Sequence, residues 1–334
     1  MVAILSALLF AAPPERTLGV AITQAEGEEY GAAFEAARAA GMRSVSLPLK
    51  WADVEPRPGE YGTDPDWLAI ARAFYAPQSV RCTVELNPVD TNNAAVPDDL
   101  SGRAWDDPEL VRRYLKALDW VLDNLGELDV PAIVVGNEVD ASLATDAQVR
   151  AYEALVRAAA ERVKARRPDI PVGVKVTLGG LTGPRGRALA RLADEGGVCL
   201  VTYYPLDADF TVRPEGCVKT DLDAALAALP GKPVIVAEIG CPSGAACGSS
   251  EERQAAFVRE ALAYWDAHAD RIPLMEFTWL SDIAPAEVEQ YAGYYGVKSP
   301  AFASYLATLG LRRRDGSAKP AYRALKDGAK RRGW

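Results

Sequence analysis

Short apolar runs alternate with amphipathic stretches along most of this chain. Each run holds several Val, Ile, Leu or aromatic residues, without the regular polar alternation of a half-exposed strand. Strands buried on both faces show this pattern, which is typical of a parallel sheet covered by helices. The pattern predicts eight strands, at 18–23, 44–51, 80–87, 132–138, 172–178, 199–205, 233–239 and 272–280.

Helix boundary signals separate the predicted strands. Asp107-Pro108 supplies an N-cap and a first-turn proline to a helix that ends before Gly126. Ser249 and Glu252 have the spacing of a capping box. The predicted helices are 28–40, 66–76, 108–125, 146–166, 183–195, 221–229, 249–271 and 301–309.

The alternation of strands and helices predicts an α/β fold. Eight strand–helix pairs without a Gly/Ser/Pro linker fit a single (β/α)8 TIM barrel over residues 15–334. A doubly wound open sheet is the alternative. A dinucleotide-binding sheet of that kind would carry Gly-x-Gly-x-x-Gly after an early strand, and the sequence lacks this motif.

The first 14 residues combine a short apolar run with two consecutive prolines. The run is too short to span a membrane. We expect a signal peptide here, although no Lys or Arg precedes the run, and hence a secreted or periplasmic protein. A disordered or packed N-terminus is the alternative. No other stretch is apolar enough to span a bilayer, so we expect no membrane association.

The chain has five cysteines. In an exported protein the spacing suggests that Cys199 pairs with Cys217 and Cys241 with Cys247, which leaves Cys82 alone. Buried free thiols are the alternative. No Cys-x-x-Cys pair exists, which argues against a structural zinc site.

Charge and histidine content exclude several classes of function. The net charge is −9, whereas a general nucleic-acid binder needs a basic surface. The single histidine, His268, lies in a predicted helix, which argues against multi-histidine zinc sites and Ser-His-Asp triads. Acid–base chemistry must therefore come mainly from carboxylates, Lys, Tyr or Cys. We expect no metal, no organic cofactor and a monomer.

Polar and aromatic residues collect where the predicted strands end, and in a barrel these ends form the active-site face. A charged residue ending an apolar strand is costly to bury unless it is paired or functional. Because aromatic rings stack on apolar faces of ligands, we expect Trp51 and Trp279 to contact a ligand at this face. Glu85 either contacts that ligand or pairs with Lys50 or Lys175. The residues in this set are Lys50, Trp51, Glu85, Asn87, Asp90, Asn137, Glu138, Asp140, Tyr203, Tyr204, Glu238, Glu276, Trp279 and Asp282.

Glu138 and Glu238 end the fourth and seventh predicted strands, which lie across the barrel from each other. Cleavage of a glycosidic bond needs one carboxyl group to protonate the leaving oxygen. It needs a second to attack or stabilise the sugar carbon. The pair therefore fits a glycosidase.

The sequence resembles clan A glycoside hydrolases, the retaining β-glycosidase barrels, from about the first strand to the last helix. Asn137-Glu138 resembles the Asn-Glu signature of their fourth strand, and Glu238 lies in a segment similar to their nucleophile strand. The sixth strand is similar to the Tyr-Pro segment of endo-β-1,4-galactanases and plant-type β-1,3-glucanases. The matching segments are 51–61, 135–138, 201–205, 236–240, 277–279 and 310–322.

The resemblance implies a role for each matched residue. Glu138 is the acid/base, and Glu238 is the nucleophile that forms a glycosyl–enzyme intermediate. Asn137 hydrogen-bonds the sugar 2-hydroxyl, and Trp279 forms the floor of that subsite. One of Tyr203 and Tyr204 holds the nucleophile in place. The implied partner is a carbohydrate substrate, with Lys50, Trp51 and Asn87 as further contacts.

Two departures from the clan pattern stand out. Many members end the second strand with an arginine near the nucleophile, and here the nearest cation in sequence is Lys50. Cellulase-like members carry histidines after the fourth and sixth strands, which this chain lacks. A non-catalytic carbohydrate-binding barrel and a transglycosylase remain alternatives. The presence of both Glu138 and Glu238 favours an enzyme.

Overall fold

The computed structural model describes residues 16–334, so the predicted signal peptide lies outside the described residues. A parallel barrel forms the centre of the fold. Its strands are β1 (Thr17–Val20), β2 (Ser44–Lys50), β3 (Arg81–Asn87), β4 (Ile133–Val134), β5 (Val172–Gly173 and Lys175–Thr177), β6 (Cys199–Tyr203), β7 (Val234–Ile239) and β8 (Leu274–Phe277).

The ring closes through β5, which is interrupted at Val174. Its first segment pairs with β4 and its second with β6, while β8 returns to pair with β1. Every pairing between barrel strands is parallel. The predicted (β/α)8 barrel is confirmed.

Helices surround the barrel and follow the strands in chain order. The α-helices are α1 (Tyr30–Ala39), α2 (Trp51–Val54), α3 (Trp67–Phe74), α4 (Pro108–Asn124), α5 (Asp146–Arg166), α6 (Leu178–Thr182), α7 (Gly186–Asp194), α8 (Cys217–Ala228), α9 (Glu251–Ala267), α10 (Pro285–Tyr295), α11 (Pro300–Thr308) and α12 (Pro320–Arg331). Short 3-10 turns lie at Ala76–Gln78, Asp98–Leu100, Val139–Ala141 and Ala245–Cys247. Val89–Asp90 and Asn93–Ala94 form a small antiparallel hairpin beside the barrel mouth.

Most helix starts follow the sequence signals. The Asp107 carboxylate accepts hydrogen bonds from the first backbone N–H groups of α4, as its capping position predicts. The predicted Ser249 capping box is wrong by one residue, because the N-cap of α9 is Ser250, whose hydroxyl accepts from the Arg253 N–H. Helix α10 was not predicted. It buries only Val288, so its sequence lacks the apolar periodicity that indicates a helix.

Two apolar layers flank the barrel wall. The larger one fills the space between the strands and the surrounding helices. A smaller cluster occupies alternate strand positions that face the barrel interior. Its members are Ala132, Val134, Val198, Leu200, Ile235, Ala237 and Leu274. The interior side chains nearer the carboxyl ends are charged, and they form the base of the site described below.

All five cysteines are free thiols, so the predicted pairs Cys199–Cys217 and Cys241–Cys247 are not formed. The sulfurs have other neighbours. Cys199 Sγ lies 3.3 Å from the Ala193 carbonyl oxygen, and Cys247 Sγ lies 3.2 Å from that of Ala301. The barrel core buries four of the thiols and leaves Cys217 partly exposed. Sequence spacing alone does not fix which way these side chains point.

Within residues 16–334, no helix has both the length and the apolar composition that crossing a bilayer requires.

Candidate active site

A cavity of about 1540 Å³ opens at the carboxyl ends of the barrel strands. It brings together seven of the nine predicted site residues, although they come from six different strands or the loops after them. These are Lys50, Asn87, Asn137, Glu138, Tyr204, Glu238 and Trp279. Trp51 and Tyr203 do not line it.

The backbone turns sharply where β4 ends, and this turn carries Glu138. Gly136 has a φ of +93°, and a Cβ there would lie 2.3 Å from the Tyr152 hydroxyl, so only glycine fits. Glu138 itself has a φ of +44°, an uncommon value for a residue with a side chain. The turn ends strand pairing early, which is why β4 is shorter than the predicted 132–138.

The Glu138 carboxyl group is held by two hydroxyl groups. Thr202 Oγ1 donates to Oε1 at 2.6 Å, and Thr91 Oγ1 donates to Oε2 at 3.1 Å. Burial and the negative charge of Glu238 raise the pKa of Glu138 to about 7, and the Thr202 hydrogen bond acts in the opposite direction. A substantial fraction of Glu138 is therefore protonated near neutral pH, as a general acid requires.

Glu238 lies on β7 at a point where the register against β6 shifts. Two donors hold its carboxylate. Lys175 Nζ donates to Oε1 at 3.1 Å, and the Tyr204 hydroxyl donates to Oε2 at 2.7 Å. A carboxylate that accepts two charge-stabilising hydrogen bonds is fixed in one orientation toward the cavity.

Lys175 is buried in the barrel interior, between two carboxylates. Its ammonium group lies 2.6 Å from Glu85 Oε1, and Asn87 Nδ2 donates to the other oxygen of Glu85 at 3.1 Å. Burial lowers the pKa of Lys175, but the charges of Glu85 and Glu238 outweigh it and raise this pKa above its usual value. Of the alternatives that the sequence leaves open for Glu85, the structure shows the ion pair with Lys175.

Lys50 does not approach Glu238. Its Nζ lies 3.7 Å from Asp90 Oδ2 and 4.3 Å from the centre of the Tyr294 ring. The cation beside Glu238 is therefore Lys175 of β5 rather than the residue at the end of β2.

Glu276 of β8 adds a second buried carboxyl group, besides Glu85, at the base of the cavity. Burial and the charge of Glu85 raise its pKa to about 8, against the lowering effect of Lys175. Ser46 Oγ donates to Oε2 at 3.2 Å. A Cβ on Gly19 of the neighbouring β1 would lie 2.8 Å from Glu276 Cβ, so glycine there leaves room for this side chain.

Within the described residues, no group of three or more His, Cys, Asp or Glu side chains is arranged to hold a metal ion.

Asn137 is fixed beside Glu138 by the hairpin at the barrel mouth. Its Nδ2 donates to Asp90 Oδ1 at 2.9 Å, and the Tyr294 hydroxyl donates to Asp90 Oδ2 at 2.7 Å. Within residues 16–334, Asn137 Oδ1 has no hydrogen-bond partner. It can accept a hydrogen bond from a ligand hydroxyl at the cavity.

A row of aromatic rings forms one side of the cavity. Trp279 follows a cis peptide bond from Thr278, and its ring stacks on Tyr291 with centroids 5.8 Å apart. Tyr291 in turn stacks on Tyr295 at 6.2 Å. Both tyrosines come from α10, the helix that the sequence pattern did not predict. Such surfaces bind the apolar faces of sugar rings.

Trp51 and Tyr203 are expected at the site, but the structure directs both side chains away from the cavity. Trp51 is fully buried, and its Nε1 donates to Glu55 Oε2 at 2.9 Å, because α2 begins at this residue and turns the ring into the core. The Tyr203 hydroxyl donates to Asp221 at 2.8 Å, outside the barrel. Adjacent residues of a strand point to opposite faces, so only Tyr204 reaches the cavity.

No family model and no curated protein matches the sequence. The structure is similar to solved glycoside hydrolases, over 95% of this chain in two cases and 96% in a third. A GH5_18 enzyme from Bifidobacterium longum subsp. infantis matches with a TM-score of 0.72 and 17% identity, over 79% of that chain. A GH5_18 enzyme from Streptomyces cattleya in complex with GlcNAc matches with a TM-score of 0.70 and 15% identity, over 81% of that chain. An exo-β-1,4-mannosidase from Opitutaceae bacterium strain TAV5 matches with a TM-score of 0.71 and 19% identity, over 59% of that chain.

At these identities the likeness establishes the fold. These structural neighbours are glycoside hydrolases.

Proposed function

We propose that this protein is a retaining glycoside hydrolase that cleaves β-glycosidic bonds of an oligo- or polysaccharide. One observation carries the proposal. Two glutamates line the same cavity in different environments, since Glu138 has a pKa of about 7 and Glu238 accepts hydrogen bonds from Lys175 and Tyr204. Two carboxyl groups with distinct environments are what acid and nucleophile roles require.

In the first step, protonated Glu138 donates its proton to the glycosidic oxygen while Glu238 attacks the anomeric carbon. The carbon–oxygen bond breaks, the alcohol leaves, and the sugar is joined to Glu238 as an ester. In the second step, ionised Glu138 takes a proton from water, and the oxygen of that water attacks the same carbon. Glu238 leaves as a carboxylate, and Glu138 is again protonated.

The change in charge on Glu238 drives the change of role in Glu138. The negative charge of Glu238 is one of the two main causes that raise the pKa of Glu138. Once Glu238 is an uncharged ester, this contribution is lost and the pKa of Glu138 falls. Glu138 then ionises more readily and acts as the general base of the second step.

Surrounding residues position the two glutamates and the sugar. Lys175 and Tyr204 fix the Glu238 carboxylate. Asn137, whose Oδ1 is available to a ligand, accepts a hydrogen bond from the sugar 2-hydroxyl. Trp279 forms the floor of the subsite in which the reacting sugar lies.

The test is hydrolysis of aryl β-glycosides together with β-glucan, β-galactan and β-mannan. β-Mannosides are tested first, because the structural neighbours include an exo-β-1,4-mannosidase and a GH5_18 variant in complex with Manβ1-4GlcNAc. Glu138→Ala and Glu238→Ala should abolish hydrolysis of the accepted substrate, whereas Glu289→Ala, on the exposed face of α10, should not.

The outcomes separate the alternatives. Oligosaccharide binding without turnover of any substrate would favour a non-catalytic barrel. Transfer of the sugar to an added acceptor in preference to water would identify a transglycosylase with the same two glutamates.

A further inference from the structure

Trp67 is 46% exposed, although tryptophan is among the most apolar side chains. Within residues 16–334, the exposed large hydrophobic side chains are Trp67, Ile70 and Tyr291. Trp67 and Tyr291 line the cavity, and Ile70 does not. Tyr291 belongs to the aromatic row beside Trp279, so its exposure is already explained. Trp67 lies apart from this row, at the start of α3, and has no role in the mechanism.

The cavity is larger than a single sugar requires. Its volume of about 1540 Å³ exceeds the roughly 300–1,000 Å³ of common small-molecule pockets. Its lining runs from Glu138 and Glu238 to Pro56 and Tyr61, which lie between β2 and α3, and to Trp67 at the start of α3. The two aromatic surfaces thus come from different places on the barrel, one after β2 and one after β8. A chain of several sugar rings is the ligand that can contact both.

Glu55 anchors the first part of the segment that leads to Trp67. This buried carboxylate accepts hydrogen bonds from Trp51 Nε1 at 2.9 Å, from the Gly59 N–H at 2.9 Å and from Arg113 Nε at 3.0 Å. Glu55 lies in the segment 51–61, which resembles a common loop of clan A barrels. Its hydrogen bonds therefore hold this loop against the barrel core. The buried Trp51 is part of the anchor.

Local hydrogen bonds also fix the start of α3. The Asp66 carboxylate accepts from the Ala69 N–H at 2.9 Å, and Thr63 Oγ1 accepts from the Trp67 N–H at 3.2 Å. An aromatic side chain on a fixed backbone loses little conformational freedom when it binds a ligand. The ring is exposed, and the backbone that carries it is fixed before any ligand arrives.

We propose that Trp67 forms a distal subsite, in which its ring stacks on a pyranose that lies away from the cleaved bond. This inference rests on the proposed glycosidase function and deepens it, because it assigns substrates of several sugar units. The indole face covers the apolar C–H face of the sugar and excludes water from both. A substrate with only one sugar occupies the site of the two glutamates without reaching Trp67.

The test compares four proteins on short and long substrates of the sugar that the wild type hydrolyses. The proteins are the wild type, Trp67→Ala, Trp67→Phe and Ile70→Ala. Ile70 is a matched control, since it is also 46% exposed, lies on the same helix and does not line the cavity. The substrates are an aryl β-monoglycoside and β-1,4-linked oligosaccharides from the disaccharide to the hexasaccharide.

We expect Trp67→Ala to lower kcat/KM about 10-fold on the longest oligosaccharides, as the loss of one aromatic stacking contact predicts. The same variant should leave kcat/KM on the monoglycoside unchanged. Trp67→Phe should retain part of the activity on long substrates, and Ile70→Ala should match the wild type on every substrate. Because Trp67 is exposed, its replacement should not disturb folding, which circular dichroism checks.

An equal loss on short and long substrates, or no loss on the long ones, would overturn the distal subsite and leave the glycosidase proposal intact. Failure of the wild type on every substrate would instead overturn the proposed function. In that case, calorimetric titration with manno-, gluco- and galacto-hexasaccharides still decides the question. The subsite predicts weaker binding by Trp67→Ala than by Ile70→Ala, and equal or undetectable binding by the two contradicts it.

Discussion

Lys175 Nζ lies 3.1 Å from Glu238 Oε1, so a buried ammonium group holds the proposed nucleophile from below. The same group lies 2.6 Å from Glu85 Oε1. One cation is therefore shared between a carboxylate that reacts and one that does not. When Glu238 becomes an uncharged ester, Glu85 keeps the ammonium group paired, and no isolated buried charge arises during the catalytic cycle.

Replacement of Lys175 by Met should reduce both stability and activity. Removal of one member of a buried ion pair leaves its partner uncompensated, at a cost of about 3–5 kcal/mol in the free energy of unfolding. Glu238 loses a hydrogen bond to a charged donor, which is worth roughly 1.5–3 kcal/mol and predicts a fall in kcat/KM of roughly 10- to 100-fold. Urea unfolding and steady-state kinetics measure the two effects.

The double variant Lys175→Met/Glu85→Gln separates these effects. It removes the unpaired charge of Glu85 and should regain part of the lost stability, but it should not regain activity. A single Lys175→Met variant with the wild-type kcat/KM would show that Glu238 does not depend on this cation.

Tyr204 and Tyr203 are adjacent on the chain and should respond in opposite ways to the same change. Tyr204→Phe removes the hydrogen bond to Glu238 Oε2 and should lower kcat roughly 10- to 100-fold. Tyr203→Phe removes the hydrogen bond to Asp221, which keeps its ion pair with Arg213. This second variant should have a free energy of unfolding about 1 kcal/mol lower than that of the wild type, with kcat unchanged. Equal kcat values for the two variants would argue against a positioning role for Tyr204.

The pH dependence of hydrolysis should report the ionisation of Glu138. The acid form is needed in the first step, and it is present below the pKa of about 7. The value of kcat/KM should therefore fall as pH rises through about 7. Thr202→Val removes a hydrogen bond that lowers the pKa of Glu138, so this alkaline limb should move to higher pH. A limb that stays in place or moves to lower pH would show that another group controls it.

The positions of Glu138 and Glu238 at the cavity followed from strand order alone. Both end an apolar strand, and all strands of a barrel deliver their carboxyl ends to one face. The sequence therefore predicts which residues collect at the mouth even where strand boundaries are displaced by a few positions. For Glu85 it left open a ligand contact or an ion pair, because a charge inside an apolar strand is costly to bury unless it is paired or functional.

Side-chain direction was harder to predict. Tyr203 and Tyr204 differ by one position, and a one-residue change in register exchanges the faces to which they point. Trp51 was placed at the mouth because it follows β2, whereas the start of α2 at this residue turns it into the core. The tyrosines of α10 were not recognised as a group, since a helix with one buried residue carries little apolar periodicity.

The link between Lys175 and Glu238 also depends on geometry that the sequence does not contain. The two residues lie on different strands, 63 positions apart. Lys175 lies among valines, and the sequence identifies it only as one candidate partner of Glu85, not of Glu238. Only the curvature of the closed barrel brings β5 and β7 near enough to share this group.

The most direct test uses a 2-deoxy-2-fluoro-β-glycoside with a good leaving group, in the configuration of the sugar that the wild type hydrolyses. Fluorine at the 2-position slows both the formation and the breakdown of the intermediate, because it destabilises their oxocarbenium-like transition states. The good leaving group accelerates only the first step, so the intermediate accumulates. The labelled peptide is then identified by mass spectrometry. Double displacement at this site predicts a single sugar on Glu238. A label on another residue, or an unlabelled enzyme that releases a product of inverted configuration, would contradict it.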